Sequence, residues 1–144
     1  MARLLQAEGW RCDVVFVLGS ELSPLAETNR RRLLNLAGIS FIGVQALPAQ
    51  LAQQRYDVLI EGIFGTGFAG RLPAAVADCC RLLNASDGLK VALDMPTGLN
   101  GDTGDVDADV FRAELTYTFG AYKPAHIMDA GRAVCGEIVC LDIG

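Results

Sequence analysis

The sequence has one histidine, His126, and no Cys-x-x-Cys pair among its five cysteines. A zinc centre of the usual Cys/His kind therefore lacks its ligands. The odd set Cys12, Cys79, Cys80, Cys135 and Cys140 reads as small buried hydrophobes in a reducing cytosol, not as disulfides. No apolar run reaches the ~18 residues of a membrane span. The opening "MARLLQAEGW" lacks the apolar core of a secretory signal, so the expected location is cytoplasmic, with no membrane partner. Basic residues are scarce too: 12 Lys and Arg against 17 Asp and Glu leave a formal charge of −5, which argues against a nucleic-acid partner. The only basic cluster, Arg30-Arg31-Arg32, lies in a helical pattern and reads as a solvated helix face. No Ser–His or Cys–His arrangement surrounds His126, which reads as structural or as part of a rim. Asp102, Asp105, Asp107 and Asp109 fail the EF-hand pattern and read as a solvated acidic loop.

What is present fits one α/β domain. The chain has 144 residues, 51% of them hydrophobic, enough to bury a core. Six apolar, β-rich runs cover residues 13–19, 39–44, 57–64, 89–95, 115–120 and 137–143. Nearly continuous hydrophobic runs predict strands covered on both faces, hence a largely parallel sheet. Helices alternate with them. One opens the chain and stops at Gly9, one starts at Ser23-Pro24 and ends at Gly38, and a shorter one fits Pro48 to Arg55. Pro73 opens another, on which Val76, Cys79, Cys80 and Leu83 form one stripe. Residues 98–112 read as a long loop. The alternation predicts a three-layer, Rossmann-like, doubly wound and mostly parallel sheet. The first helix has no strand before it: either the first βα turn of such a fold is absent, or the helix simply starts the domain, and the pattern alone does not separate the two.

Ligands of parallel sheets bind outside the carboxyl ends of the strands, and two motifs fall there. After the third strand comes Gly65-Thr66-Gly67-Phe68-Ala69-Gly70-Arg71. Its glycines let backbone approach a ligand and its N–H groups can hold phosphate; a plain loop is the alternative. After the fourth comes "ALDMPTGLNGDTG". Asp94 at a strand end is either catalytic or a cap for local N–H groups, and partial burial there would raise its pKa toward neutrality. Glu61 places a carboxylate inside an apolar strand, where it must be neutralised, paired or bound to a cation. With the Thr97 hydroxyl it offers hard oxygen donors suited to an alkali or alkaline-earth ion. The alternatives are a sheet edge, or pairing with Lys90 or Lys123.

The ordered series "GIFGTG", "ALDMPTGLNGDTG", "TFGAYKPAH" and "GRAVCGEIVCLDIG" resembles the YjeF N-terminal domain, the NAD(P)H-hydrate epimerases, along essentially the whole chain. The resemblance implies an isomerase of nicotinamide nucleotide repair, interconverting the R and S forms of hydrated NADH and NADPH. An ADP- or ATP-dependent dehydratase would then be the functional partner, and a homodimer is one assembly it admits. It implies potassium as cofactor, with Glu61 in the place of an Asp ligand and Thr97 in the place of a Ser ligand. Residues 65–71 would hold the nucleotide, and Asp94 would be the active-site acid beside the nicotinamide ring. The family's "GNNGGDG" loop and its strand should precede "ARLLQAEGW" and do not, so residues 1–144 are expected to form a domain of this type incomplete at its N-terminus. The non-catalytic alternative is a nucleotide-binding or protein-interaction module on the same fold, as in relatives that act as mRNA-decapping scaffolds.

Overall fold

A computed structural model describes residues 1–19 and 21–144. The chain forms two compact units, Met1–Ala52 and Gln53–Gly144.

In the first unit, helix α1 (Ala2–Ala7) leads to strand β1 (Cys12–Val15), helix α2 (Pro24–Leu33) and strand β2 (Ile39–Ile42). The two strands pair in parallel, Cys12 opposite Ile39 and Val15 opposite Ile42. The Ser23 hydroxyl caps α2 by accepting the Ala26 N–H at 3.3 Å, and Pro24 holds the first helical position, as the sequence predicts. Glu27 pairs with Arg30 and Arg31 at 2.7 and 2.8 Å, so the arginine cluster is a helix face carrying its own counter-charge. Full coverage of both strand faces is not found here. Every residue of β1 is half-buried, and Leu47 is the only fully buried one described in this unit. Leu47 opens α3 (Leu47–Gln53), behind a single 3-10 turn over Val44–Ala46.

The second unit holds strands β3 (Val58–Glu61), β4 (Leu89–Leu93), β5 (Leu115–Phe119) and β6 (Glu137–Leu141), all parallel, in that spatial order. Helix α4 (Ala74–Ala85) buries the predicted stripe of Val76, Cys79, Cys80 and Leu83. Burial pushes the Cys80 thiol up to about 12, which keeps it protonated and inert. Each strand ends earlier than its apolar run. After β3 the extra residues turn into a loop at the carboxyl edge, because side chains there claim the Ile63 and Phe64 N–H groups. Residues 98–112 are the predicted loop, closed by one antiparallel bridge between Leu99 and Val106. Two helices, α5 (Pro124–Ile127) and α6 (Asp129–Cys135), fill a stretch whose period is too short to read from sequence. They bury Ala125, Val134 and Cys135 in one cluster with Met95, Leu99 and Val110.

The chain returns from α6 to β6 through Gly136 at φ 61° and ψ −143°, where a side chain would run into the Glu114 carbonyl. This is backbone that only glycine occupies without strain. Gly136→Ala is expected to cost at least ~1 kcal/mol, read as a lower urea midpoint; an unchanged midpoint would mean the turn adopts another conformation.

Candidate functional site

The carboxyl edge of the four-stranded sheet is organised around a buried acid. Glu61, the last residue of β3, is 3% exposed. Its Oε1 accepts the Thr97 N–H at 2.9 Å, and its Oε2 accepts the Thr97 hydroxyl at 2.7 Å and the Ile63 N–H at 3.1 Å. The Thr97 Oγ1, itself fully buried, accepts the Phe64 N–H at 2.9 Å. These four bonds tie the turn after β4 to the segment leaving β3, and they explain why β3 stops at Glu61. Neither lysine proposed as its partner reaches Glu61. Lys123 pairs with Asp94, and the Lys90 ammonium donates to the Gly88 carbonyl. Burial therefore pushes the Glu61 carboxyl up, against the opposing pull of the Thr97 and Ile63 donors.

Past this knot runs the glycine loop. Phe68 is buried and stacks on Phe64 with ring centroids 5.7 Å apart, and its N–H donates to the Gly65 carbonyl at 3.2 Å. That aromatic pin holds the middle of the loop while Thr66, Gly67, Ala69, Gly70 and Arg71 stay exposed. At its far end the Leu72 N–H donates to Asp107 at 3.1 Å. The acidic loop is thus connective: Asp107 also accepts from the Asp109 N–H, and Asp109 pairs with Arg81 at 2.6 Å. Among the described residues no three His, Cys, Asp or Glu side chains gather as a metal cluster. Asn100 accepts the N–H groups of Asp102 and Thr103 at 2.9 and 3.0 Å, a turn that an Asp would make equally well.

Asp94 is the only described non-glycine residue with positive φ, at 70°. Its N–H still donates to the Tyr117 carbonyl of β5 at 2.7 Å, so the ladder holds the backbone while the strained dihedral turns the side chain out of the strand. Its Oδ1 accepts from the Lys123 ammonium, and from the Thr118 hydroxyl and Phe119 N–H at 3.3 Å each. Its Oδ2 faces Gly65: a methyl built there would sit 3.5 Å away. The expected rise in its pKa is reversed. Burial pushes the carboxyl up, but the Lys123 hydrogen bond and charge, with the Phe119 and Thr118 donors, bring it below its ordinary 3.8. Asp94 is therefore an ionised base at neutral pH. Lys123, which sequence reading assigned at most to Glu61, belongs to this site. The readable signal was its place in "TFGAYKPAH", directly after a strand end.

The structure thus joins Glu61 to Thr97 and sets Asp94 beside the first glycine of the loop that leaves Glu61. Thr97→Val strands one carboxylate lone pair and the Phe64 N–H, and is expected to cost about 1–3 kcal/mol by urea denaturation. Thr97→Ser keeps the hydroxyl and should cost clearly less. Equal losses in the two variants would show that the methyl, and not the hydroxyl, matters.

Comparison with known proteins gives the family. Residues 1–125 match the family described as YjeF-related protein N-terminus. The bifunctional NAD(P)H-hydrate repair enzyme Nnr of Archaeoglobus fulgidus is 42% identical over 130 residues, covering 90% of this chain and 26% of that protein. Its counterpart in Hyperthermus butylicus is 34% identical, covering 99% of this chain and 27% of that protein. An NAD(P)H-hydrate epimerase of Limosilactobacillus fermentum is 32% identical, covering 99% of this chain and 66% of that protein. The chain thus spans about a quarter of the bifunctional relatives' length. The crystal structure of yeast ynu0, YNL200c, superposes with a TM-score of 0.74 at 17% identity, covering 98% of this chain and 58% of that one, which shows a shared fold. With the match running through the buried Glu61, the glycine loop, Asp94 and Thr97, this chain belongs to the YjeF-related N-terminal family.

Proposed function

We propose that this chain interconverts the R and S epimers of hydrated NADH or NADPH. The observation that carries the reading is the Asp94 carboxylate, turned out of its strand and presenting Oδ2 to the glycine loop. The names of the epimerase relatives agree with it. In this reading the loop from Gly65 to Arg71 receives the nucleotide. Side chains built on Gly67 and Gly70 would meet nothing, so both present open backbone to a diphosphate.

Inversion at the hydroxyl-bearing ring carbon can begin by losing hydroxide or by opening the ring. The first needs an acid, and Asp94 is held in its ionised form. The second needs a base. Asp94 takes the hydroxyl proton as the carbon–oxygen double bond forms and the carbon–nitrogen bond breaks, its electron pair leaving on the ring nitrogen. The same carboxyl returns the proton to that nitrogen. Rotation about the adjoining carbon–carbon bond presents the other carbonyl face. Closure reverses the steps: nitrogen attacks carbon, Asp94 takes the N–H proton and gives it to the oxygen. Protons and electrons balance, with one residue as shuttle.

The donor set also suits the expected cation. Glu61 is a buried carboxylate with no cationic side chain on it among the described residues, and the Phe64 carbonyl lies 3.4 Å from the Thr97 hydroxyl oxygen. Glu61, Thr97 and that carbonyl would hold potassium, which supplies fixed positive charge for anchoring phosphate or carboxylate. The two activities joined in the bifunctional relatives support a second repair step, such as the dehydratase, acting on the S product.

Pure R epimer incubated with the chain should yield S, and Asp94→Asn should lower kcat ~10²–10⁴-fold with the circular dichroism unchanged. Full activity in that variant would remove Asp94 from the mechanism, and nucleotide binding without turnover in the parent would favour a binding module. For the cation, exchanging LiCl for KCl at fixed ionic strength should raise the melting temperature of the parent and not of Glu61→Gln. Equal melting of the parent in both salts would strike potassium from the site.

A further inference from the structure

Lys123 is held more firmly than a surface lysine has reason to be. Its backbone N–H donates to His126 Nδ1 at 3.1 Å, and its carbonyl accepts the His126 N–H at 3.0 Å. His126 is 2% exposed, and Tyr122 meets its ring edge-on at 6.1 Å. The single histidine is thus the clamp that fixes where the Lys123 side chain starts. That side chain is four-fifths buried and runs back to β5 and Asp94.

An ammonium carries three protons and accepts nothing. Lys123 gives one to Asp94 Oδ1, one to the Thr118 hydroxyl at 2.8 Å and one to the Phe119 carbonyl at 3.0 Å. None remains for a substrate. On the other side of the pair, Oδ1 also accepts the Phe119 N–H and shares the single Thr118 hydroxyl proton with the Ala121 carbonyl, whereas Oδ2 accepts no hydrogen bond from a described residue. The two oxygens of one carboxylate are therefore unlike: one is saturated by protein, the other bare above Gly65.

We propose that Lys123 is a positioning residue that selects the reacting oxygen of Asp94, locking Oδ1 into the protein so that only Oδ2 meets the substrate. The chemistry rests on the epimerase reading; the geometry does not. Two consequences separate this role from plain structural support. The Lys123 hydrogen bond and charge hold the Asp94 carboxyl below its ordinary value against the push of burial, so removing that charge releases the carboxyl upward. His126 is the other titratable group set against Asp94. Burial and then the Lys123 charge hold its imidazole below the ordinary value, so it adds no positive charge of its own at neutral pH. And because none of the ammonium protons is spare, a permanently charged guanidinium can replace it in part.

The test uses the full chain with R-hydrated NADH, and reads the Asp94 carboxyl by carbon-13 NMR titration without substrate. Lys123→Met should raise the Asp94 titration, move the acidic limb of kcat to higher pH and lower kcat ~100-fold, with a smaller change in KM. Lys123→Arg should restore the titration and at least about a tenth of kcat. If Lys123→Met does not fold, Thr118→Val, which removes the hydroxyl steadying both Nζ and Oδ1, should shift titration and limb in the same direction by less. An Asp94 titration that stays at the parent value in Lys123→Met, or in Thr118→Val if that variant must stand in, overturns the proposal. So does an Arg variant with restored titration but no turnover, which would make Lys123 a proton donor. A parent chain that binds nucleotide without epimerising it would strike the epimerase reading alone, since the carboxyl titration still decides what Lys123 does.

Discussion

The hydrogen bonds between Glu61 and Thr97 are the constraint on which the carboxyl edge of the sheet depends. A carboxylate at the end of β3 with almost no solvent must be satisfied by protein, and it is satisfied by the turn that follows β4. Breaking that link would leave a buried charge short of donors, which is far costlier than losing an ordinary hydrogen bond. The link also diverts the backbone. With the Ile63 and Phe64 N–H groups taken by side chains, the segment after β3 cannot stay in the ladder. It turns instead into the glycine loop, pinned by Phe68 and opened beside Asp94. The buried acid thus shapes a loop that it does not itself enter.

Asp94 shows how a second acid on the same edge acquires a different character. Glu61 is buried without a cation and is pushed up, while Asp94 is half-buried beside an ammonium and is brought down. Two carboxyl groups whose surroundings drive them apart can take separate tasks, one holding structure or a cation and the other moving a proton. The strained backbone at Asp94 fits this division. A residue at φ 70° persists only where its surroundings fix it, and here the ladder bond to Tyr117 and the Lys123 pair do so.

Much of this was legible in the residues. All six strands begin within a residue of the apolar runs that announce them, and the α4 stripe and the Ser23 cap follow from periodicity and capping chemistry. Strand ends were overextended because hydrophobicity continues through Ile63 and Phe64 while the hydrogen bonding does not. The importance of Glu61 and Asp94 was readable from charge in apolar surroundings, but their partners were not. Thr97 lies 36 positions from Glu61, and Lys123 lies 29 from Asp94, distances over which sequence pattern says nothing of contact. The direction of the Asp94 shift was missed for the same reason, since burial was visible and the lysine was not. The short helices α5 and α6 span too few turns to show a period.

Under the proposed function, a hydrated nicotinamide ring would sit where Asp94 Oδ2 opens onto the loop that Glu61 shapes. A crystal structure of the chain with the S epimer of hydrated NADH tests it most directly. The account predicts the ring hydroxyl within about 2.6–3.2 Å of Oδ2, the diphosphate along residues 65–71, and Oδ1 still on Lys123. A ring bound away from Asp94, or a hydroxyl held by Oδ1 with Lys123 displaced, would contradict it.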